Sequence, residues 1–218
     1  MPAVRQNAMR AIRAAARFVS RRRLSRHREL AELMKSMSAS SSAAIDLTDA
    51  VVLYEHVLSA RPRQILELGG GTSSAVIAQA IQVARRSHST YQPRFVAVED
   101  KEDWLDYHRR HTPQRLAACI EWVAGRIERT VVNGVAAAVY RGLPPMTIEF
   151  LHVDGPDLRT YGVAVSADAI ELLDQFAPTA TIAFDGREAT ARFAADALRQ
   201  AGFRFRRQPL TLNHWFVR

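Results

Sequence analysis

From about residue 43 to the C-terminus, short apolar runs alternate with stretches whose apolar residues recur every three or four positions. The clearest instance is "RQILELGGGTSSAVIAQAI", residues 63–81. Ile65, Leu66 and Leu68 predict a buried parallel strand, and Ala75, Val76, Ala78, Gln79 and Ile81 predict a helix, so three consecutive glycines fall on a strand-to-helix turn. Before it, "DLTDAVVLYEHVL" predicts a helix with Asp46 as N-cap, running to Leu58 and ended before Pro62. After it, the pattern predicts a helix to about Arg86, the strand "FVAVE" (95–99), a helix from Lys101 to about His111, and the strand "CIEWV".

The run "RTVVNGVAAAVY" is different in kind, because Asn133-Gly134 suits a two-residue turn with positive φ at both positions and predicts an antiparallel hairpin. "TIEFLHV" (147–153) reads as a strand ending at Asp154-Gly155-Pro156, and "SADAIELLDQF" as a helix capped by Ser166. "TATIAF" ends at Asp185, a helix follows to Gly202, and "FRF" and "LTLNHWFV" supply closing strands. Strands alternating with helices predict an α/β fold: a doubly wound, mostly parallel sheet with C-terminal antiparallel strands.

Residues 3–35 lack Pro and Gly beyond the start and read as a basic N-terminal helix, with "SMSASSS" (36–42) as a break. We therefore expect an appendage over 1–42 and a domain over 43–218. Charge supports that division. The net charge of +8 lies entirely in residues 1–40, which hold ten Arg or Lys against two acids, leaving twenty of each sign in the rest. The arginines, interleaved with Met9, Ile12, Phe18 and Leu24, leave a packed helix, a lid and a peripheral membrane contact through residues 1–35 as readings; no nucleic-acid partner is expected. The lone Cys119 excludes an intrachain disulfide and a Cys-rich zinc site, and no run is long and apolar enough to span a bilayer. A cytoplasmic location without signal peptide is the expectation.

In doubly wound sheets ligands sit beyond the carboxyl ends of the strands, which singles out Glu67 to Ser74, Glu99, Asp154 and Asp185. Gly69 and Gly71 allow close approach of a ligand, and the helix starting near Thr72 points free N–H groups at it. The dinucleotide fingerprint needs a third glycine where Ser74 stands, and a carboxylate at Glu67 repels a pyrophosphate but attracts a cation. Both count against a nicotinamide-dependent oxidoreductase, the alternative enzyme class.

"LELGGGTSS", "VAVED" and "FLHVDGP" resemble the first, second-strand and fourth-strand motifs of class I S-adenosylmethionine-dependent methyltransferases, over roughly residues 45–218. The resemblance implies a Rossmann-like methyltransferase domain that binds S-adenosyl-L-methionine through Glu67, Gly69, Gly70, Gly71, Thr72, Ser73, Glu99 and Asp100. Within the superfamily the chain looks closest to small-molecule O-methyltransferases of the catechol type. That implies methyl transfer to an oxygen, ahead of nitrogen, of a small-molecule acceptor. Asp154 and Asp185 then fall on the group's two metal-binding aspartates, but its following Asn is Gly186 here, so no metal is predicted and the pair is assigned to the acceptor's proton. Tyr161 and Arg187 are expected acceptor contacts, and a binding protein of the same fold without catalysis is the third reading. His108 and His111 are expected on a solvated face, His152 in the core or at the site, and His214 as a candidate base.

Overall fold

The computed structural model describes residues 14–38, 45–208, 211 and 213–218. Helix α1 occupies residues 14–24 and is followed by α2 (Arg28–Ser38) and α3 (Leu47–Ala60). The main alternation then runs β1 (Gln64–Leu68), α4 (Thr72–Ser87), β2 (Arg94–Glu99), α5 (Glu102–His111), α6 (Gln114–Ala117) and β3 (Glu121–Ala124). A hairpin follows, β4 (Arg126–Val132) and β5 (Val135–Arg141), then β6 (Ile148–Val153), β7 (Val165–Ser166) and α7 (Asp168–Glu171). The chain closes with β8 (Phe176–Phe184), α8 (Glu188–Gln200), β9 (Arg204–Arg207) and β10 (His214–Val217).

Seven strands form one sheet in the order β3-β2-β1-β6-β8-β10-β9, parallel except for β10, which runs antiparallel to both β8 and β9. Alternation along each strand builds the two cores. Ile65, Phe95, Ala97 and Phe150 face α2, α3 and α4 on one side, while Leu66, Leu68, Val96, Val98 and Leu151 face α8 and the segment around α7 on the other. Each of the fully buried Ile, Leu, Val and Phe side chains contributes roughly 1.5–3 kcal/mol relative to exposure. Because β1 pairs with β2 on one edge and β6 on the other, the connections leave it in opposite directions and a crevice opens above its carboxyl end.

The predicted doubly wound sheet is thus present, and three elements differ from expectation. The N-terminal helix is interrupted at 25–27, where Arg26 N–H and His27 N–H close three-residue turns onto Arg23 and Leu24 and the Ser25 hydroxyl donates back to the Arg22 carbonyl. That break lets Leu30 and Leu33 of α2 enter the core beside α3, while Arg23 and His27 pair with Glu55. Residues 36–38 of the expected break belong to α2; 3–13 and 39–42 lie outside the described residues. The hairpin forms as predicted, with Asn133 and Gly134 at φ 51° and 76°, and builds a separate sheet ordered β4-β5-β7. The helix expected from Ser166 shrinks to four residues: Ser166 pairs with Ala138 of β5, and Asp168 accepts from the Tyr140 main-chain N–H at 2.7 Å and from the Ser166 hydroxyl. Side-chain bonding to neighbouring backbone here outcompetes helix propagation. No helix among the described residues is long and apolar enough to cross a membrane.

Candidate functional site

A cleft of about 540 Å³ opens at the crevice above β1. Its walls come from the first turn of α3, the glycine turn, the ends of β2, β6 and β8, and one face of α5. Of the residues expected to bind cofactor, Gly69, Gly70, Gly71, Thr72, Ser73, Glu99 and Asp100 line it, as do the expected catalytic pair Asp154 and Asp185 and the expected acceptor contact Arg187. Glu67 and Tyr161 do not.

The three glycines have different reasons for being glycine. At Gly69, with φ +89°, a Cβ would lie 2.3 Å from the Gly155 nitrogen, so this residue is fixed by the close approach of the β1 and β6 ends rather than by ligand. Gly155 N–H donates to the Leu68 carbonyl at 2.6 Å across the same junction. A Cβ at Gly70 would meet the Trp122 ring at 2.9 Å. At Gly71 a Cβ would find only the His108 ring, at 3.8 Å, so this residue alone leaves side-chain-sized space on the cleft wall.

Glu67 is fully buried beneath the turn. It accepts from Ser74 Oγ, which itself accepts from Gly71 N–H at 2.9 Å, and it lies 3.0 Å from His152 Nδ1. The serine standing where the dinucleotide fingerprint has its third glycine is therefore a link between a buried acid and the turn. Burial opposes charge on His152, but the hydrogen bond and charge of Glu67, with Asp154 and Asp185, raise its pKa to about 8. The pair is fully buried, with His152 outside the cleft.

At the end of β2, Glu99 is 9 % exposed, and burial pushes its carboxyl up to about 7 despite an N–H from Lys101 at 3.1 Å. Next to it, Asp100 accepts from both Tyr140 Oη (3.0 Å, on β5) and Tyr161 Oη. Tyr161 thus ties the segment after β6 to the end of β2.

Across the cleft, Asp154 is raised to about 7 by burial and by the charge of Asp185. Asp49, on the first turn of α3, is raised to about 7 by the same two causes in the same order, and its Oδ1 is buried without a hydrogen-bond partner. The charge of Arg187 opposes the rise at Asp154, while its guanidinium donates to the main-chain carbonyls of Asp154 and Pro156. Gly186 donates its N–H to Asn213 Oδ1 at 3.1 Å. Among the described residues no three His, Cys, Asp or Glu side chains converge as a metal centre.

Several lining residues escaped the sequence reading. Asp46 was predicted only as an N-cap, which it is, accepting from Thr48 N–H at 2.8 Å, but it also borders the cleft with Asp49. His108, expected on a solvated face, is 7 % exposed and faces the glycine turn, stacked on Trp104 at 5.6 Å, with its pKa lowered by burial. The signal for it was Leu105 three positions earlier, which is buried on the same face of α5. His111 is exposed as expected, stacked on Tyr107. His214 does not line the cleft.

No protein-family model and no curated relative matches this sequence. Solved structures do. The chain is similar to a methyltransferase from Geobacter sulfurreducens (15 % identity, 86 % of each chain covered, TM-score 0.55). It is also similar to a methyltransferase from Podospora anserina with S-adenosylhomocysteine bound (13 %, 87 % of each chain, TM-score 0.54). A third is an O-methyltransferase from Bacillus cereus, in complex with the same molecule (15 %, 87 % of this chain and 89 % of that one, TM-score 0.52). The strand order, the crevice above β1 and these likenesses together give the chain the Rossmann-like fold of the S-adenosylmethionine-dependent methyltransferases.

Proposed function

We propose that the protein transfers the methyl group of S-adenosyl-L-methionine to an oxygen of a small-molecule acceptor. The observation that carries this reading is the carboxyl-rich lining of the cleft: Asp46, Asp49, Glu99, Asp100, Asp154, Asp157 and Asp185 line it against Lys101 and Arg187, and a bound cation would favour the ionised form of Asp49, Glu99 and Asp154, each raised to about 7. Such a wall suits a sulfonium cation and repels a pyrophosphate. The residues fit the cofactor in other respects. Gly71 leaves open space at the turn, the N-terminus of α4 borders it, and Ser73 Oγ is a buried hydroxyl without a partner.

When bound, the cofactor supplies an electrophilic methyl on a positively charged sulfur. Glu99 would accept the ribose hydroxyls, and the main chain of 69–73 would cradle the remainder. Asp154 and Asp185 would hold the acceptor. The acceptor's oxygen would displace the sulfur at the methyl carbon and its hydroxyl proton would pass to a carboxylate, for which a pKa near 7 at Asp154 is well matched. Holding nucleophile, methyl and sulfur in line is worth up to about 7–11 kcal/mol of barrier. The aspartates are read as proton-handling because the third ligand of a catechol-type metal site is Gly186 here.

Calorimetry with S-adenosylmethionine and with NAD, followed by S-adenosylhomocysteine release over phenolic and sugar acceptors with and without EDTA, tests the proposal. Binding of S-adenosylmethionine and turnover in EDTA are expected. NAD binding alone would sink it, and binding without turnover across a broad acceptor panel would leave a cofactor-binding protein.

A further inference from the structure

We infer that α1 is a docking face for an anionic membrane surface, through side chains other than Arg17, which pairs with Asp46 at the cleft. Residues 14–24 contain no acidic side chain and four arginines. One side of α1 is held to the body: Ser20 is buried, Leu24 packs on the core and Arg23 pairs with Glu55. The other side is exposed. Phe18 is 65 % exposed on it, Val19 39 %, and Arg21 and Arg22 lie three and four positions from Phe18, where helix geometry puts them beside that ring.

Among the described residues, neither Arg21 nor Arg22 nor the nearby Arg26 has an acidic partner, whereas Arg28 and Arg86 are paired with Glu32 and Glu29. The charge excess of the whole chain lies in residues 1–40, so this is a localised positive face on a body of balanced charge. A large exposed apolar ring flanked by unpaired arginines fits the boundary between lipid headgroups and acyl chains, where phosphates meet the guanidinium groups and the ring enters the apolar layer. The phosphate backbone of a duplex would satisfy the arginines but gives Phe18 no comparable place, because its bases are stacked inside; a single strand is separated by the test below.

The test is flotation of the full-length protein with vesicles of phosphatidylcholine alone and of phosphatidylcholine with phosphatidylserine, at low and high salt. The expected result is association with the phosphatidylserine vesicles at low salt. It should be weakened at least about tenfold by Arg21→Glu with Arg22→Glu, and weakened by Phe18→Glu. Because these side chains are exposed, melting temperature should stay unchanged in all variants, which separates lost docking from lost folding. Equal association with both vesicle types, no effect of the double charge reversal, or no effect of Phe18→Glu overturns the inference. So does retention of a single-stranded oligonucleotide at a salt concentration that releases the protein from the phosphatidylserine vesicles.

Discussion

At the scale of single residues, the glycine turn separates positions fixed by the fold from positions open to ligand. Gly71→Val should fold with a melting temperature close to that of the parent, because its Cβ meets nothing nearer than 3.8 Å, yet lose S-adenosylmethionine binding by filling the cleft wall. Gly69→Val should instead destabilise by several kcal/mol, since it forces a β-branched residue to positive φ and drives its Cβ into the Gly155 backbone. Paired thermal melts and calorimetry distinguish the two, and the reverse pattern would show the turn misassigned. Glu99→Gln should cost roughly 1.5–3 kcal/mol of cofactor affinity. The parent carries a further signature: with Glu99 raised to about 7, binding that needs its ionised form should weaken about tenfold from pH 8 to pH 6, and Glu99→Gln should flatten that slope.

At the scale of elements, what was legible in the sequence followed from local chemistry. Asn133-Gly134 dictates its hairpin and Asp46 its helix start, because each depends on a few neighbouring residues, and the alternation of strands and helices brings the strand-end acids to one crevice. The missed features depend on partners remote in sequence. Nothing near Ser166 shows that β5 will pair with it and that Asp168 will accept from the Tyr140 main chain, and nothing near His108 shows that Gly71 will lie against it. Glu67 is the strongest case, being recognised as out of place beside a phosphate while its partner His152 lies 85 residues away. Because that pair is fully buried, Glu67→Gln should cost about 3–5 kcal/mol. Urea unfolding should show this as a lower midpoint at unchanged slope; an unaltered midpoint would mean that the pair carries no stability.

At the scale of the whole molecule, the cleft sets how stability responds to pH. Asp49, Glu99 and Asp154 are each raised to about 7 in the folded chain, against about 4 unfolded, so the native state holds protons that the unfolded chain has released. Stability from these groups therefore falls as pH rises from about 4 through 7, and the contribution of His152, raised to about 8, is lost as pH rises through 8. His56, lowered to about 4 by burial, has the opposite sign but acts below about 6.5. The ligand-free protein should accordingly melt several degrees higher at pH 6 than at pH 8.5, with the difference narrowed by saturating S-adenosylmethionine; a melting temperature that rises across this range would contradict the carboxylate assignments. The carboxylate of Asp100 has a consequence of another kind. It is the meeting point of a hydroxyl from the small sheet and one from the segment after Pro156, and an amide can accept both only by crowding a single oxygen. Asp100→Asn should therefore free the turn around Asp157–Thr160, and trypsin, which finds Arg159 exposed but tethered in the parent, should cut there markedly faster in the variant while the core fragments remain intact.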